Sequence, residues 1–321
     1  VKLIVQIPAL NEEAHLGDVI REIPRTIPGI DRVEVLVIDD GSTDRTVETA
    51  CAAGADYVLS LHRNRGLAVA FQVGLDACLH RGADIIVNTD ADNQYPGDQI
   101  PLLVDQIVNH RADIVVGDRQ VERVEHFSWQ KRWLQRLGSR IVRAASGTSV
   151  PDAPSGFRAY TREAALRLFV ISDFSYTLDN LIQAGKRRLW VAHVPIRTNP
   201  TRPSRLHRGN WNFVKRQAAT ILRAYATYEP LKTFFWISLP FFAVSVTLFL
   251  RLAILFVVQG FDLPGHIQSL IIASVATILG FLVMMFGLIA DRIGDNRRLM
   301  DEILYRLRKN EFDQINHPPR S

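Results

Sequence analysis

Sulfur is scarce in this chain: 321 residues contain two cysteines, Cys51 and Cys78, and three methionines. Both cysteines lie in helix-like stretches, so they read as ordinary buried thiols, and neither a disulfide framework nor a zinc site is expected. No Gly-x-Gly-x-x-Gly follows the first apolar run, and no Gly-Lys-Ser/Thr loop occurs. Their absence argues against a dinucleotide-binding dehydrogenase and a P-loop NTPase. The chain opens Val1-Lys2-Leu3 without a charged-then-apolar leader. No cleavable signal is therefore expected, and the numbering is expected to omit at least an initiator methionine. Acidic residues are in deficit: 33 Asp plus Glu face 38 Lys plus Arg, for a net charge of +5. That excess suits an anionic partner, whether nucleic acid, a phosphorylated substrate or anionic lipid.

Charge disappears altogether between His266 and Ala290, and between Thr233 and Val258 only Arg251 carries one. Each stretch exceeds the roughly 20 apolar residues that cross a bilayer. The connector Gln259-Gly260-Phe261-Asp262-Leu263-Pro264-Gly265 has no Lys or Arg, whereas Arg292, Arg297, Arg298, Arg306, Arg308 and Lys309 follow the second stretch. The positive-inside rule then predicts both termini in the cytoplasm and the tight loop outside. Arg251 would snorkel near the outer interface. The expected organisation is a catalytic domain over 1–209, a juxtamembrane amphipathic helix over 210–230, two transmembrane helices over 231–291 and a basic cytoplasmic tail over 292–321.

Before Leu231 the chain alternates short apolar runs with polar helices. Lys2 to Ile7 reads as a first strand stopped by Pro8, and Asn11-Glu12-Glu13 as the start of a helix toward Ile23, its acids suited to the helix dipole. Val33 to Ile38 is a second strand, followed by a helix that Thr43 or Asp44 caps and Gly54 ends. Tyr57 to Leu59, Asp84 to Val87 and Asp113 to Gly117 are further strands, and Gly66 to His80 is helical. This alternation predicts an α/β domain with a mostly parallel sheet and helices on both faces. In such sheets ligands gather at the carboxyl ends of the strands. Pro8-Asn11-Glu12, Asp39-Asp40, Asp90-Ala91-Asp92 and Asp118-Arg119 all follow strands, so four polar clusters converge on one edge.

Among these, Asn88-Thr89-Asp90-Ala91-Asp92-Asn93-Gln94 is the most specific. Extended backbone would put Asp90 and Asp92 on the same side. Two hard carboxylates there suit Mg²⁺ or Mn²⁺, which shares its shell with substrate phosphates. Such a metal can grip a diphosphate where no P-loop exists.

Three segments in order, Ile-Pro-Ala-Leu-Asn-Glu-Glu, Val-Ile-Asp-Asp-Gly-Ser-Thr-Asp and Asp-Ala-Asp-Asn-Gln-Tyr-Pro, resemble family-2 glycosyltransferases of the GT-A fold. Within that family the chain is similar to polyprenyl-phosphate (dolichyl-phosphate-type) sugar transferases over about residues 1–230, many relatives also carrying a membrane hairpin. The resemblance implies that Pro8, Asn11 and Glu12 line the nucleotide-sugar pocket, with Asp39 and Asp40 at base and ribose. It implies that Asp90, Ala91 and Asp92 hold the diphosphate, and that Asp90, Asp92 and Gln94 hold the metal. Leu10 departs from the family pattern, in which many relatives place Tyr against the base.

On the acceptor side, Trp129, Trp133, Leu137 and Ile141 recur every fourth residue beside Lys131, Arg132, Arg136, Arg140 and Arg143, the pattern of an interfacial membrane helix. A second such helix is expected between Trp211 and Tyr228. Arg119, Arg132 and Ser139 resemble the family's acceptor-phosphate positions, and Arg suits bidentate phosphate contact. Pro151 to Tyr160 resembles a segment beneath the sugar, where Asp152 would position a hydroxyl or serve as base. An ionised phosphate acceptor makes a strong base unnecessary. The loop from Thr201 to Arg208 resembles one that closes over the diphosphate, Arg202 or Arg205 supplying charge, and it also suits attraction to anionic lipid.

The expected function is inverting transfer of a sugar from a UDP- or GDP-linked donor to polyprenyl or dolichyl phosphate at the cytoplasmic membrane face. Inversion is implied by the resemblance. Two readings compete: the same fold acting on another lipid or polysaccharide hydroxyl, and a non-catalytic nucleotide-binding membrane scaffold. A nucleic-acid partner is disfavoured because the basic residues cluster beside membrane-like helices. Two membrane helices leave room for a homo-oligomer.

Overall fold

The computed structural model describes residues 1–120, 147–170, 176–199, 230–259 and 267–316. The chain divides into two units, one of residues 1–214 with 304–321, the other of residues 215–303. The expected interfacial helices around Trp129 and Trp211, together with Arg132, Ser139, Arg202, Arg205 and the loop 260–265, lie outside the described residues.

Among the described residues the first unit is built on seven strands: β1 Lys2–Ala9, β2 Arg32–Asp39, β3 Tyr57–Ser60, β4 Ile85–Asn88, β5 Ile114–Asp118, β6 Arg158–Thr161 and β7 Val191–Pro195. They run in the order β3-β2-β1-β4-β6-β5-β7. β1, β2, β3 and β4 pair in parallel, as do β5 and β7, while β6 enters antiparallel between β4 and β5. β1 and β2 are buried along almost their whole length. Such near-continuous apolar strands mark a sheet covered on both faces.

One face receives Leu3, Val5, Ile7, Val35, Val37 and Val87, packed against α1 Leu16–Glu22 and α4 Ile100–Val108. The other receives Ile4, Leu36, Ile38, Ile86 and Tyr160, packed against α3 Leu67–His80, α5 Arg162–Arg167 and α6 Tyr176–Lys186. α2 Thr46–Ala52 follows β2 and ends at Gly54, whose φ of +90° suits glycine.

Three details differ from the sequence reading. β1 runs through Pro8 rather than stopping before it. Gln6 O accepts from Thr89 N on the β4 side, so by alternation Pro8 also turns its nitrogen toward β4, which has already ended at Asn88. The missing N–H therefore breaks no ladder bond. Second, α1 starts at Leu16, not at Asn11, because Asn11 takes a left-handed φ of +53° and uses its side chain elsewhere. Third, β6 falls in the middle of the sheet, and its four residues, Arg158-Ala159-Tyr160-Thr161, hold no continuous apolar run to announce a buried strand.

The second unit holds α7 Pro230–Gln259 and most of α8 Ile267–Asn316, two helices long and apolar enough to cross a membrane. They meet along small residues: Ala273 is fully buried, Gly280 lies against Phe242 and Gly287 against Phe234. Ser245 and Thr277 share a hydrogen bond of 2.6 Å. Small side chains let backbones approach where lipid supplies no hydrophobic drive. Most other apolar side chains here are exposed, as a bilayer-facing surface would be.

α8 outlasts its apolar stretch, and from Leu304 it belongs to the first unit. There Arg308 is buried, donating to the carbonyls of Leu166 and Leu168 at 2.9 Å and pairing with Asp76 on α3. Tyr305 bonds Glu163 at 2.7 Å, and Phe312 meets His80 edge to face. The cation thus closes the open carbonyls at the end of α5. Replacing Arg308 with Ala should leave those carbonyls buried without a donor. We expect a loss of about 2–3 kcal/mol, read as a fall of several degrees in the melting temperature of the full chain in detergent.

Candidate active site

The carboxyl edge of the sheet gathers the loops after β1, β2, β4 and β5. The first two are laced together. Asn11 N donates to Ser42 Oγ at 2.9 Å, and Thr43 N donates to Asn11 Oδ1 at the same distance. Glu12 N donates to Thr46 Oγ1 at 2.9 Å, and Arg45 N to Glu13 Oε2 at 3.0 Å. These contacts explain why Asn11 and Glu12 do not cap α1. Pro8 is buried at the base of this loop, while Leu10 and Asn11 are exposed.

Asp39 and Asp40 are both buried. Asp39 Oδ1 accepts from Ser42 N at 2.9 Å. Asp40 accepts from Arg65 N at 2.8 Å and Gly66 N at 2.9 Å, so it anchors the turn that starts α3. Gly41, with φ +78°, lies under that turn: a Cβ there would come within 2.6 Å of Arg63 backbone carbon. Gly66 is read from sequence only as a helix start, and Arg63 and Arg65 give no signal there, because only folding brings this turn against Asp40, 25 residues before Arg65 in the chain.

β4 delivers Asp90 and Asp92. Asp90 is half-buried, and burial together with the charge of Asp92 pushes its carboxyl up to about 7, with Arg119 pulling the other way. Asp92 is exposed, and its Oδ1 accepts from Gln94 N at 3.0 Å. Asn93 takes a φ of +59°, turning the loop so that Asn199 binds it and Gln94 O. Ala91 is buried between the two carboxylates in sequence. The segment before β6 comes up beneath them. A Cβ built on Gly156 would lie 3.0 Å from Asp90 Oδ1, 3.2 Å from its Oδ2 and 2.9 Å from the Tyr176 hydroxyl. Tyr95 is stacked on Phe157, 5.1 Å between centroids, and burial and the Asp90 charge push its hydroxyl up.

Arg119 and Asp152 occupy each other. Nε donates to Asp152 Oδ2 at 2.7 Å, Nη2 to Oδ1 at 2.8 Å, and Arg119 N to Oδ2 at 3.2 Å. Burial opposes the guanidinium charge, but the Asp152 carboxylate outweighs it and holds Arg119 above its usual range. This fork-to-fork pair is the strong form of ion pair, and it engages both carboxylate oxygens of Asp152.

Residues 4–169 match the family model described as Glycosyl transferase family 2. The chain belongs to that family. Among its relatives, this family-2 glycosyltransferase is 29% identical over 206 residues to the polyprenol monophosphomannose synthase of Mycolicibacterium smegmatis, covering 61% of this chain and 76% of the relative. It is 31% identical over 194 residues to the dolichyl-phosphate hexose transferase of Haloferax volcanii, covering 60% and 81%. In structure it is similar to glucosyl-3-phosphoglycerate synthase from Mycobacterium tuberculosis, solved with Mn²⁺, UDP-glucose and phosphoglyceric acid. That match has a TM-score of 0.56 at 25% identity over 70% of this chain and 79% of the other. The same enzyme with Mg²⁺ and UDP gives a TM-score of 0.53 at 24% identity over 71% and 79%, a likeness of fold.

The residues of this family-2 glycosyltransferase fit a divalent cation. No group of three or more His, Cys, Asp and Glu gathers among the described residues, so a cation would rest on Asp90 and Asp92 with water and substrate oxygens. That is how Mg²⁺ is ordinarily held beside phosphates. The half-buried Asp90 carboxyl, raised by burial and by Asp92, would be relieved by such a charge, and bare Gly156 leaves it room. Gly156→Ala would push a methyl into the Asp90 carboxylate. We expect Mn²⁺-dependent nucleoside-diphosphate affinity to fall tenfold or more in titration calorimetry, with far-UV circular dichroism unchanged.

Proposed function

We propose that the chain transfers a glycosyl group from a nucleoside-diphosphate sugar to a polyprenyl phosphate at the cytoplasmic face of a membrane, inverting the anomeric carbon. The observation that carries this reading is the Asp90–Asp92 pair at the carboxyl edge of the sheet, in a chain with two bilayer-length helices. The names of its relatives support the lipid-phosphate acceptor.

The laced loops holding Asn11, Glu12, Asp39 and Asp40 would receive the nucleoside. Asp90 and Asp92, with Gln94 as a further oxygen donor, would hold Mg²⁺ or Mn²⁺. When bound, the cation neutralises the diphosphate and stabilises it as a leaving group. An acceptor phosphate oxygen attacks the anomeric carbon, the bond to the donor diphosphate breaks, and the nucleoside diphosphate departs. Arg119 would meet the acceptor phosphate with the edge that Asp152 leaves uncovered. Arg132, Ser139, Arg202 and Arg205 remain assigned to phosphate contact by resemblance.

A hydroxyl acceptor would need a base. Asp152 is the residue expected to provide one, and its carboxylate is bound to Arg119 through both oxygens. A phosphate monoester, already ionised, needs none. This favours the lipid phosphate over a polysaccharide or lipid hydroxyl.

The test is sugar transfer by the full chain in detergent, with short polyprenyl phosphate and a panel of UDP- and GDP-sugars. A metal-dependent lipid-phosphate sugar should form with one donor, and Asp92→Asn should lower kcat at least a hundredfold. Nucleotide binding without transfer to polyprenyl phosphate would point to another acceptor. Loss of both would sink the transferase reading.

A further inference from the structure

Beneath the site runs a row of buried polar side chains at one level of the sheet. Gln6 on β1 pairs in register with Asn88 on β4, and Asn88 with Arg158 on β6. All three are fully buried and sit on the face that packs against α3 and α6. Two residues back on the same face, the equivalent row is Ile4, Ile86, Tyr160 and Ile114, which is apolar but for the Tyr160 hydroxyl. An apolar row could therefore have been continued. Burying an amide pair and a guanidinium instead carries a desolvation cost that well-packed apolar side chains avoid.

Asn88 and Arg158 both donate into one short segment. Asn88 Nδ2 donates to Gly156 O at 2.8 Å and to the Tyr176 hydroxyl at 3.2 Å. Arg158 donates to the carbonyls of Ala153 at 2.7 Å, Ser155 at 2.9 Å and Thr177 at 2.8 Å. Gln6 Nε2 in turn fixes Asn88 Oδ1 at 2.9 Å, which orients the amide so that its donors face the segment. Gln6 itself fits only because α3 presents Gly74 there: a Cβ would lie 2.6 Å from Gln6 Oε1. Tyr176 is stacked on Phe71 of α3, 4.1 Å between centroids. The segment so held begins at Asp152, locked to Arg119, and ends at Gly156, against Asp90.

We propose that Asn88 is a positioning residue for glycosyl transfer, holding the 152–156 segment at the height that sets the Arg119–Asp152 pair and the Asp90 carboxylate for reaction. It touches no substrate and acts through Gly156. The inference rests on reading this edge as the sugar-transfer site. It assigns Gln6 and Arg158 to the same frame, with Asn88 the member that contacts Gly156.

The test compares Asn88→Leu, which removes both donors at similar size, and Asn88→Asp, which keeps the acceptor for Gln6 alone. Ile86→Val, on the same strand and face, controls for general loosening. Hydrogen–deuterium exchange of the full chain should rise about tenfold at amides between 153 and 157 in both Asn88 variants, with β1 and β2 amides unchanged. At saturating donor and acceptor, kcat should fall tenfold or more while the donor KM moves less than threefold. Ile86→Val should change neither. Exchange that rises equally in β1 and β2 would reduce the row to ordinary core. A loosened segment with unchanged kcat would equally overturn the proposal. Should wild-type protein transfer nothing to polyprenyl phosphate, the acceptor assignment fails by itself. The kcat comparison is then made on donor hydrolysis, and the exchange result stands independently.

Discussion

A strand covered on both faces has almost nowhere to place a polar group except beyond its end, and this constraint shapes the first unit. β1 and β2 are sealed between two helical layers. Polar chemistry is thereby driven to the carboxyl edge, where loops carry Asn11, Asp39, Asp40, Asp90 and Asp92. The exceptions are informative. Glu34 is buried near the opposite edge and is matched by Lys2 and Arg32. Gln6, Asn88 and Arg158 are buried one step short of the site; Gln6 orients Asn88, and Asn88 and Arg158 donate to the carbonyls of Gly156 and Ala153.

Carboxylates gathered at such an edge repel each other in a medium poorer than water. The chain answers this in three ways. Asp40 accepts from two backbone N–H groups, making it part of the scaffold. Asp152 is neutralised by a guanidinium. Asp90 has no such partner among the described residues, and burial and the Asp92 charge push it up against the pull of Arg119. The carboxyl left uncompensated is the one beside exposed Asp92, where a divalent cation and a diphosphate can supply and share charge. Scaffold and chemistry are thus separated by what each acid is paired with.

The second unit follows another rule. α7 and α8, long and apolar enough to cross a membrane, meet through alanine, glycine and a serine–threonine bond, the contacts favoured where lipid leaves nothing to gain from hiding apolar side chains. Once α8 leaves its apolar stretch, water restores the ordinary rule. Its last turns bury Tyr305, Arg308 and Phe312 in the first unit.

Much of this was readable in the residues. Alternating apolar runs announce the α/β domain, and charge-free stretches of bilayer length announce the two helices, because both are properties of local pattern. Asp-x-Asp after a strand announces the candidate cation site for the same reason. Other features were decided by distance across the fold. β6 is four residues long and takes its antiparallel place only because β4 and β5 leave a gap for it. Asn11 looked like a helix start and became a bridge to Thr43, since the β2 loop offered its side chain a better partner than the helix did. Asp152 reads from sequence as a residue to position a hydroxyl or serve as base, and folding sets Arg119 beside it. Sequence pattern determined which residues are apolar, which are charged and at what period. Only the tertiary structure decided which charges meet, because pairing depends on neighbours that are remote along the chain.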